Sequence, residues 1–324
     1  MQAVLLGIGG LALLLVGAEL LVRSGSRLAT RLGLSPMVIG LTVVSIGTSL
    51  PELAIGIDAA RSSSPGLATG NIVGTNLVNL LFVLGLGALL RPVLFDRRTL
   101  RVDLPVMVVV TLLFFVLTRD GNLGPFDGAL LLLVAVAYTV LIFRTNRRED
   151  MAAEAGVDEE GAHQEGDGPR GGAALQLLVL VASVALVVVG AELLVDGAVQ
   201  GARAFGVDEA VIGLTVVAIG TSAPELVTML VAIARGRTGL AVGNIVGSSV
   251  YNIALVLGVT VLAAPAATVA VPGDVVDADL VLLAVATLGA GLAMRTGAKL
   301  TRVEGGALVL VYVTYLAWLV VTRT

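Results

Sequence analysis

Gly47-Thr48-Ser49-Leu50-Pro51-Glu52 interrupts an apolar run that begins at Gly40, and Gly70-Asn71-Ile72-Val73-Gly74-Thr75-Asn76 opens a second run that continues to Asn79. A proline, a carboxylate and several amides and hydroxyls thus sit inside segments that otherwise read as lipid-embedded helix. Such groups are expensive in hydrocarbon, and where a chain keeps them they mark a pathway for an ion or a polar substrate. The same arrangement returns 173 residues later without a gap, so that Ser49 and Glu52 become Ser222 and Glu225, and Asn71, Thr75 and Asn79 become Asn244, Ser248 and Asn252. At the same offset, Gly17-Ala18-Glu19-Leu20-Leu21-Val22 returns as Gly190-Ala191-Glu192-Leu193-Leu194-Val195. Three blocks at one offset make the chain a duplicated unit.

Composition agrees with a membrane setting. Of 324 residues, 57% are hydrophobic and 14% charged, with a mean hydropathy of +1.00, whereas a soluble domain carries about 25% charged residues. The first apolar run has no basic segment ahead of it and contains Glu19, so it reads as a retained helix rather than a cleaved leader. Cysteine is absent, which excludes disulfides and thiol chemistry, and His163, in a hydrophilic stretch, cannot alone build a zinc or haem site. The net charge of -4 leaves no basic surface for nucleic acid. No cofactor and no obligatory protein partner is expected, the surrounding lipid being the one partner implied, and a monomer suffices. Forty glycines suit close helix packing in a bilayer.

A helix needs roughly 20 largely apolar residues to cross the hydrocarbon. Ten segments qualify, at about 3–22, 36–59, 67–90, 103–118, 125–143, 173–195, 209–233, 241–263, 277–293 and 304–322. The fold class is therefore an all-α polytopic membrane protein with a first five-helix repeat at 1–145 and a second at 173–324. Between them, 146–172 is rich in Glu, Asp, Gly and Arg without apolar period and reads as a flexible linker. Assigning loops alternately to two sides places sixteen of the 20 basic side chains together, leaving only Arg61, Arg119, Arg203 and Arg323 opposite. The rich side is expected to be cytoplasmic, with both termini outside. Five crossings per repeat invert the second half relative to the first, a layout in which secondary transporters place ion sites at the repeat interface.

Glu52 and Glu225 carry the chemical argument. Each follows a proline in an apolar setting, and no lysine or arginine lies in the predicted cores of helices 2, 3, 7 and 8. A buried carboxylate without a base must be protonated or bound to a cation. Pro51 and Pro224 lack an N–H and free carbonyls on the preceding turn, around Val44 to Gly47 and Val217 to Gly220. With hydroxyls from Thr48, Ser49, Thr221 and Ser222 and amides from Asn79 and Asn252, the donor set is all oxygen, which suits Ca2+ or Na+ rather than a transition metal. One Ca2+ or two monovalent cations neutralise two carboxylates equally well, a physical basis for exchange. The hydroxyls and amides, Asn71 and Asn244 included, serve equally as glue between helices, so ligand and glue both remain open for them. Glu19 and Glu192 lie near opposite membrane faces and read as structural or ion-access groups; Asp58, Asp196 and Asp208 read as boundary residues.

The two motifs, Gly47-Thr48-Ser49-Leu50-Pro51-Glu52 with Gly70-Asn71 through Asn79, and Gly220-Thr221-Ser222-Ala223-Pro224-Glu225 with Gly243-Asn244 through Asn252, resemble the alpha repeats of the calcium/cation antiporter superfamily, in its prokaryotic sodium/calcium exchanger branch. The resemblance covers the chain except 146–172. It implies ten helices in two inverted halves, ions held between helices 2, 3, 7 and 8, and gating by sliding of helices 1 and 6. It also implies that Glu52 and Glu225 bridge Ca2+, with Thr48, Ser49, Thr221 and Ser222 beside them and Asn79 and Asn252 closing the centre. Ser45 and Ala218 match positions whose backbone carbonyls bind Na+, and Thr75 and Ser248 match flanking Na+ residues. The chain departs from the family at Asn252, where well-studied exchangers have an aspartate. Two central carboxylates then remain instead of three, which implies an altered stoichiometry or coupling ion. The expected activity is Ca2+/Na+ antiport by alternating access in a prokaryotic inner membrane, extruding Ca2+. Proton/Ca2+ antiport through the same glutamates is the alternative. A channel is disfavoured by the small flanking helices and for want of an oligomeric filter, and an enzyme for want of a cysteine, a usable histidine or a soluble domain.

Overall fold

The computed structural model describes residues 2–61, 66–155, 173–206, 218–265, 268–273 and 275–323. The first helix, α1 (Gln2–Leu32), runs well past residue 22, because the first stop signal is Gly33, whose φ of 64° only glycine adopts without strain. Ser35 then caps the next helix, its side chain accepting from the Val38 N–H, with Pro36 in the first turn.

That second span is built in pieces: α2 (Pro36–Ile39), a π-helical turn at Gly40–Val44, α3 (Ser45–Thr48) and, after a bend of 41°, α4 (Leu50–Arg61). The break falls at Ser49, with φ −87° and ψ 7°. Pro51, in the first turn of α4, has no N–H to return to Gly47, so the earlier hydrogen-bond ladder cannot continue. The second half repeats the device. After α10 (Ala218–Thr221), Ser222 takes φ −89° and ψ 7°, and α11 (Ala223–Ala234) starts with Pro224 in its first turn. The beginning of the span expected at 209–233 lies outside the described residues.

Two mostly buried spans flank these broken helices. One comprises α5 (Gly66–Leu77), a π segment at Val78–Val83 and α6 (Leu84–Leu90); the other comprises α12 (Thr238–Tyr251), a π segment at Asn252–Leu257 and α13 (Gly258–Ala263). Their windows are 78% and 83% buried, against 28% for α1. The outer elements are α7 (Leu104–Leu117), α8 (Pro125–Ala155), α9 (Ala173–Ala204), α14 (Leu280–Arg295) and α15 (Arg302–Arg323). Among the described residues eight helices are long and apolar enough to cross a membrane, and the bent pair makes a ninth. The fold is an all-helical polytopic membrane architecture.

The linker expected from residue 146 begins as helix instead, since α8 continues to Ala155. Its extension, rich in Arg, Glu, Met and Ala, is made of good helix formers, and each added residue gains a backbone bond at no nucleation cost. Residues 156–172 lie outside the described residues.

Glycines set the closest helix contacts. A Cβ on Gly10 would lie 2.4 Å from the Leu194 nitrogen, one on Gly190 2.5 Å from the Leu14 nitrogen, and one on Gly197 2.5 Å from the Gly7 nitrogen. These contacts run in opposite chain directions, so α1 and α9 are antiparallel and packed backbone to backbone. The α2–α3 segment meets α12 in the same way, with Gly243 facing the Met37 carbonyl and Gly247 the Leu41 carbonyl. Two short antiparallel ladders clasp the loops, Val93 and Leu94 against Leu300 and Lys299, and Asn122 and Leu123 against Ala270 and Val269.

Candidate ion-binding site

The helix breaks bring the anticipated residues to one buried region. Glu52, Glu225, Asn79, Asn252, Thr48 and Ser248 have no exposed surface, and Ser49, Ser222 and Thr75 are at most 3% exposed. Each Glu sits in the first turn of a helix that starts at the break, where the helix dipole favours negative charge. Asn79 and Asn252 lie at equivalent places inside and at the start of π segments. Such turns widen the backbone spiral and recur at functional sites.

Contacts between the halves identify one shared site. The Thr48 hydroxyl donates to Asn244 Oδ1 at 3.2 Å. The Glu52 carboxylate lies within electrostatic reach of Glu225, and the Thr48 and Ser248 hydroxyls act on the Glu225 carboxylate. Beyond the hydroxyls beside Glu225, no group of the protein closes a hydrogen bond of good geometry to either oxygen of either glutamate, and both side-chain polar atoms of Asn79 and of Asn252 are without partners. The Ser49, Ser222 and Ser248 hydroxyls and the Asn71 and Asn244 amide nitrogens are also without partners. Buried polar groups are almost always satisfied, so a concentration of orphans from both halves marks a place built for a polar guest. No base supplies it, because the ion pairs among the described residues involve neither glutamate.

Other anticipated residues divide by role. The Ser45 hydroxyl donates to the Gly40 carbonyl at 2.9 Å, which commits this side chain to its own π turn, while its backbone carbonyl accepts from the Thr48 hydroxyl at 3.3 Å and the Ser49 N–H at 3.1 Å. Thr221 stands at the end of α10 and Ala218 at its start. Asp58 is exposed, in keeping with a boundary residue. Glu19 instead has a definite partner: it bonds Arg23 on its own helix and Arg235 at the end of α11.

The sequence reading passed over two further acids. Asp103 is fully buried and Asp279 4% exposed, each closing a π segment just before α7 or α14. Each accepts a tyrosine hydroxyl from the following helix, Tyr138 to Asp103 at 3.1 Å and Tyr315 to Asp279 at 2.9 Å. The signal was present as an Asp and a Tyr recurring in both halves, but at offsets of 176 and 177 rather than 173, which hid the match.

The ion set this arrangement can hold is narrow. Among the described residues there is no cluster of three or more His, Cys, Asp or Glu. Two carboxylates supplemented by amide, hydroxyl and carbonyl oxygens make a hard site of modest charge, suited to Ca2+ or Na+.

Known proteins share this architecture. A family model described as sodium/calcium exchanger protein matches residues 2–144 and 175–321. The chain belongs to the sodium/calcium exchanger family. It is 31% identical to the sodium/calcium exchanger MaX1 of Methanosarcina acetivorans over 95% of each chain, and 36% identical to the putative antiporter CaxA of Alkalimonas amylolytica over 94% of this chain and 95% of that one. A solved structure of the sodium-calcium exchanger NCX_Mj, soaked with Na+ and Sr2+, superposes with a TM-score of 0.82 at 29% identity, covering 98% of both chains.

Proposed function

We propose that the protein is a secondary antiporter that exchanges Ca2+ for Na+, with Glu52 and Glu225 as the carboxylates that hold either Ca2+ or Na+ in turn. The observation that carries this reading is the pair of fully buried carboxylates, neither with a base and neither with a well-formed hydrogen bond to its oxygens. Left bare, two such charges resist enclosure away from water. A carrier of this kind changes sides readily only when loaded, which yields obligatory exchange.

In this reading the chain forms ten spans in two inverted halves. Support comes from the antiparallel packing of α1 on α9, which are equivalent helices of the repeat. The two loop ladders add to it, since Val93 corresponds to Val269 and Asn122 to Lys299, so that each ladder is the image of the other. The side bearing sixteen of the 20 basic residues is cytoplasmic, and an inward Na+ gradient then drives Ca2+ out of the cell. Ions travel between the broken helices and the buried spans, while α1 and α9 slide across them. The site lies within one chain, so a monomer suffices.

The test is isotopic Ca2+ flux in proteoliposomes under Na+, K+ or pH gradients imposed in turn. Flux is expected to follow the Na+ gradient and to vanish in Glu52→Gln and Glu225→Gln. Flux that follows only the pH gradient would replace Na+ by protons as the coupling ion, and normal exchange in both variants would remove the site.

A further inference from the structure

Equivalent helices of the two halves stand in different surroundings. The α1 helix packs along α11, the second arm of one broken helix, whereas α9 makes no comparable contact with α4, the second arm of the other. One turn beyond each glutamate, Thr228 on α11 is fully buried, while its repeat equivalent on α4, Ile55, is 37% exposed. This face of α11 is covered by α1, and the corresponding face of α4 is not covered to the same extent.

An ion pair holds the covered side. Arg235, the residue that ends α11, grips Glu19 of α1 with two parallel bonds, Nε to Oε2 at 2.9 Å and Nη2 to Oε1 at 2.8 Å. This fork geometry fixes direction as well as distance. Arg23 adds a second base to the same carboxylate. On the other side the repeat carries the parts without the contact. Glu192 of α9 is the equivalent of Glu19, and α4 ends at Arg61, adjacent to the position equivalent to Arg235. Neither Glu192 nor Arg61 takes part in an ion pair among the described residues. Asp196 stands where Arg23 stands in the first half, so this side offers two acids to one base where the other offers one acid to two bases.

We propose that Glu19–Arg235 and Glu192–Arg61 are alternating latches, each made in one end state of the carrier and broken in the other. The glycine contacts between α1 and α9 make the pair one sliding body, so a slide that pulls Glu19 off Arg235 carries Glu192 towards Arg61. The four are positioning residues: they touch no transported ion and act by holding α11 or α4, and with it Glu225 or Glu52, against the sliding pair. Glu19 and Arg235 remain partly exposed, which limits each latch to about a three- to fivefold bias between the states.

The inference rests on the antiporter reading for the motion, and its test does not need transport. The chain has no cysteine, so Thr228→Cys and Ile55→Cys are separate single-thiol reporters of the two faces in the full-length protein. Glu19→Gln or Arg235→Gln is expected to raise modification of Thr228→Cys about three- to fivefold and lower that of Ile55→Cys, and Glu192→Gln to do the opposite. Exchanging the charges, Glu19→Arg with Arg235→Glu, is expected to restore the original pattern. Reporters that do not move, or that move in the same direction for Glu19→Gln and Glu192→Gln, overturn the latches. Ca2+ flux is followed in parallel: a labelling shift in a protein without flux keeps the latches and discards the exchange, whereas flux with unmoved labelling does the reverse.

Discussion

Leu50–Arg61 and Ala223–Ala234 are two copies of one device, each broken from the preceding helix at a serine and carrying a buried glutamate in its first turn. Their site chemistry is nearly the same, but their packing is not. At the position of Gly56 on α4, a Cβ would meet the Thr260 hydroxyl at 2.5 Å; the equivalent residue on α11 is Met229, whose methyl would lie 2.3 Å from a Cβ on Gly87. The large and small partners have changed places between the halves. Duplication therefore preserved the buried polar side chains around the two glutamates, while buried contacts away from them exchanged large for small wherever volume could be conserved.

The sharpest way to break that comparison is at the carboxylates. Glu52→Gln and Glu225→Gln are each expected to reduce Ca2+ exchange by about 100-fold or more, since either change removes half the charge that compensates the buried cation. Equal losses in proteoliposome flux match a shared central site; a mild effect of one would assign the ion to a single half.

A smaller change is expected from restoring an acid at the centre. With two carboxylates, exchange of two Na+ for one Ca2+ is electroneutral, and wild-type flux should ignore an imposed membrane potential. Asn252→Asp adds a third charge, admits one more Na+, and is expected to make flux respond to potential, with an upper bound of about 50-fold at 100 mV, since one charge moved across that potential is worth about 2.3 kcal/mol. Current carried by the wild type would remove the argument from charge.

Packing differences give the smallest effects. Gly243→Ala drives a Cβ to 2.5 Å from the Met37 carbonyl, backbone that cannot yield, and is expected to lower stability by about 2–3 kcal/mol. Gly87→Ala meets the side-chain ends of Met229 and Ile233 rather than backbone and should cost under about 1 kcal/mol. Thermal unfolding in detergent ranks the two, and a reversed order would mean that α12 can move away from the broken helix.

Much of this was legible before any coordinates. The repeat, the breaks at Pro51 and Pro224 and the residues around Glu52 and Glu225 all declare themselves in linear spacing, because proline and intramembrane charge constrain the chain locally. Glu19 shows the limit of such reading. Its recurrence as Glu192 was visible, and so was the difference four residues on, Arg23 against Asp196, but its second partner Arg235 is far away in the chain and no spacing points to it. The Asp103–Tyr138 and Asp279–Tyr315 pairs were missed for a similar reason, each joining two separate helices. The helical continuation to Ala155 departs from the linker expectation because charge density speaks for solvent exposure, whereas residue propensity favours helix.

Sequence alone determined that this is a membrane protein carrying one polar motif twice, since hydrophobic length, proline and buried acid each act through the local chain. Only the tertiary structure decided which broken helix packs along α1 and which of Glu19 and Glu192 holds Arg235. Those outcomes depend on how two near-identical halves pack against each other, and a pair of equivalent sequences is by itself silent about which of two mirror-related packings it adopts.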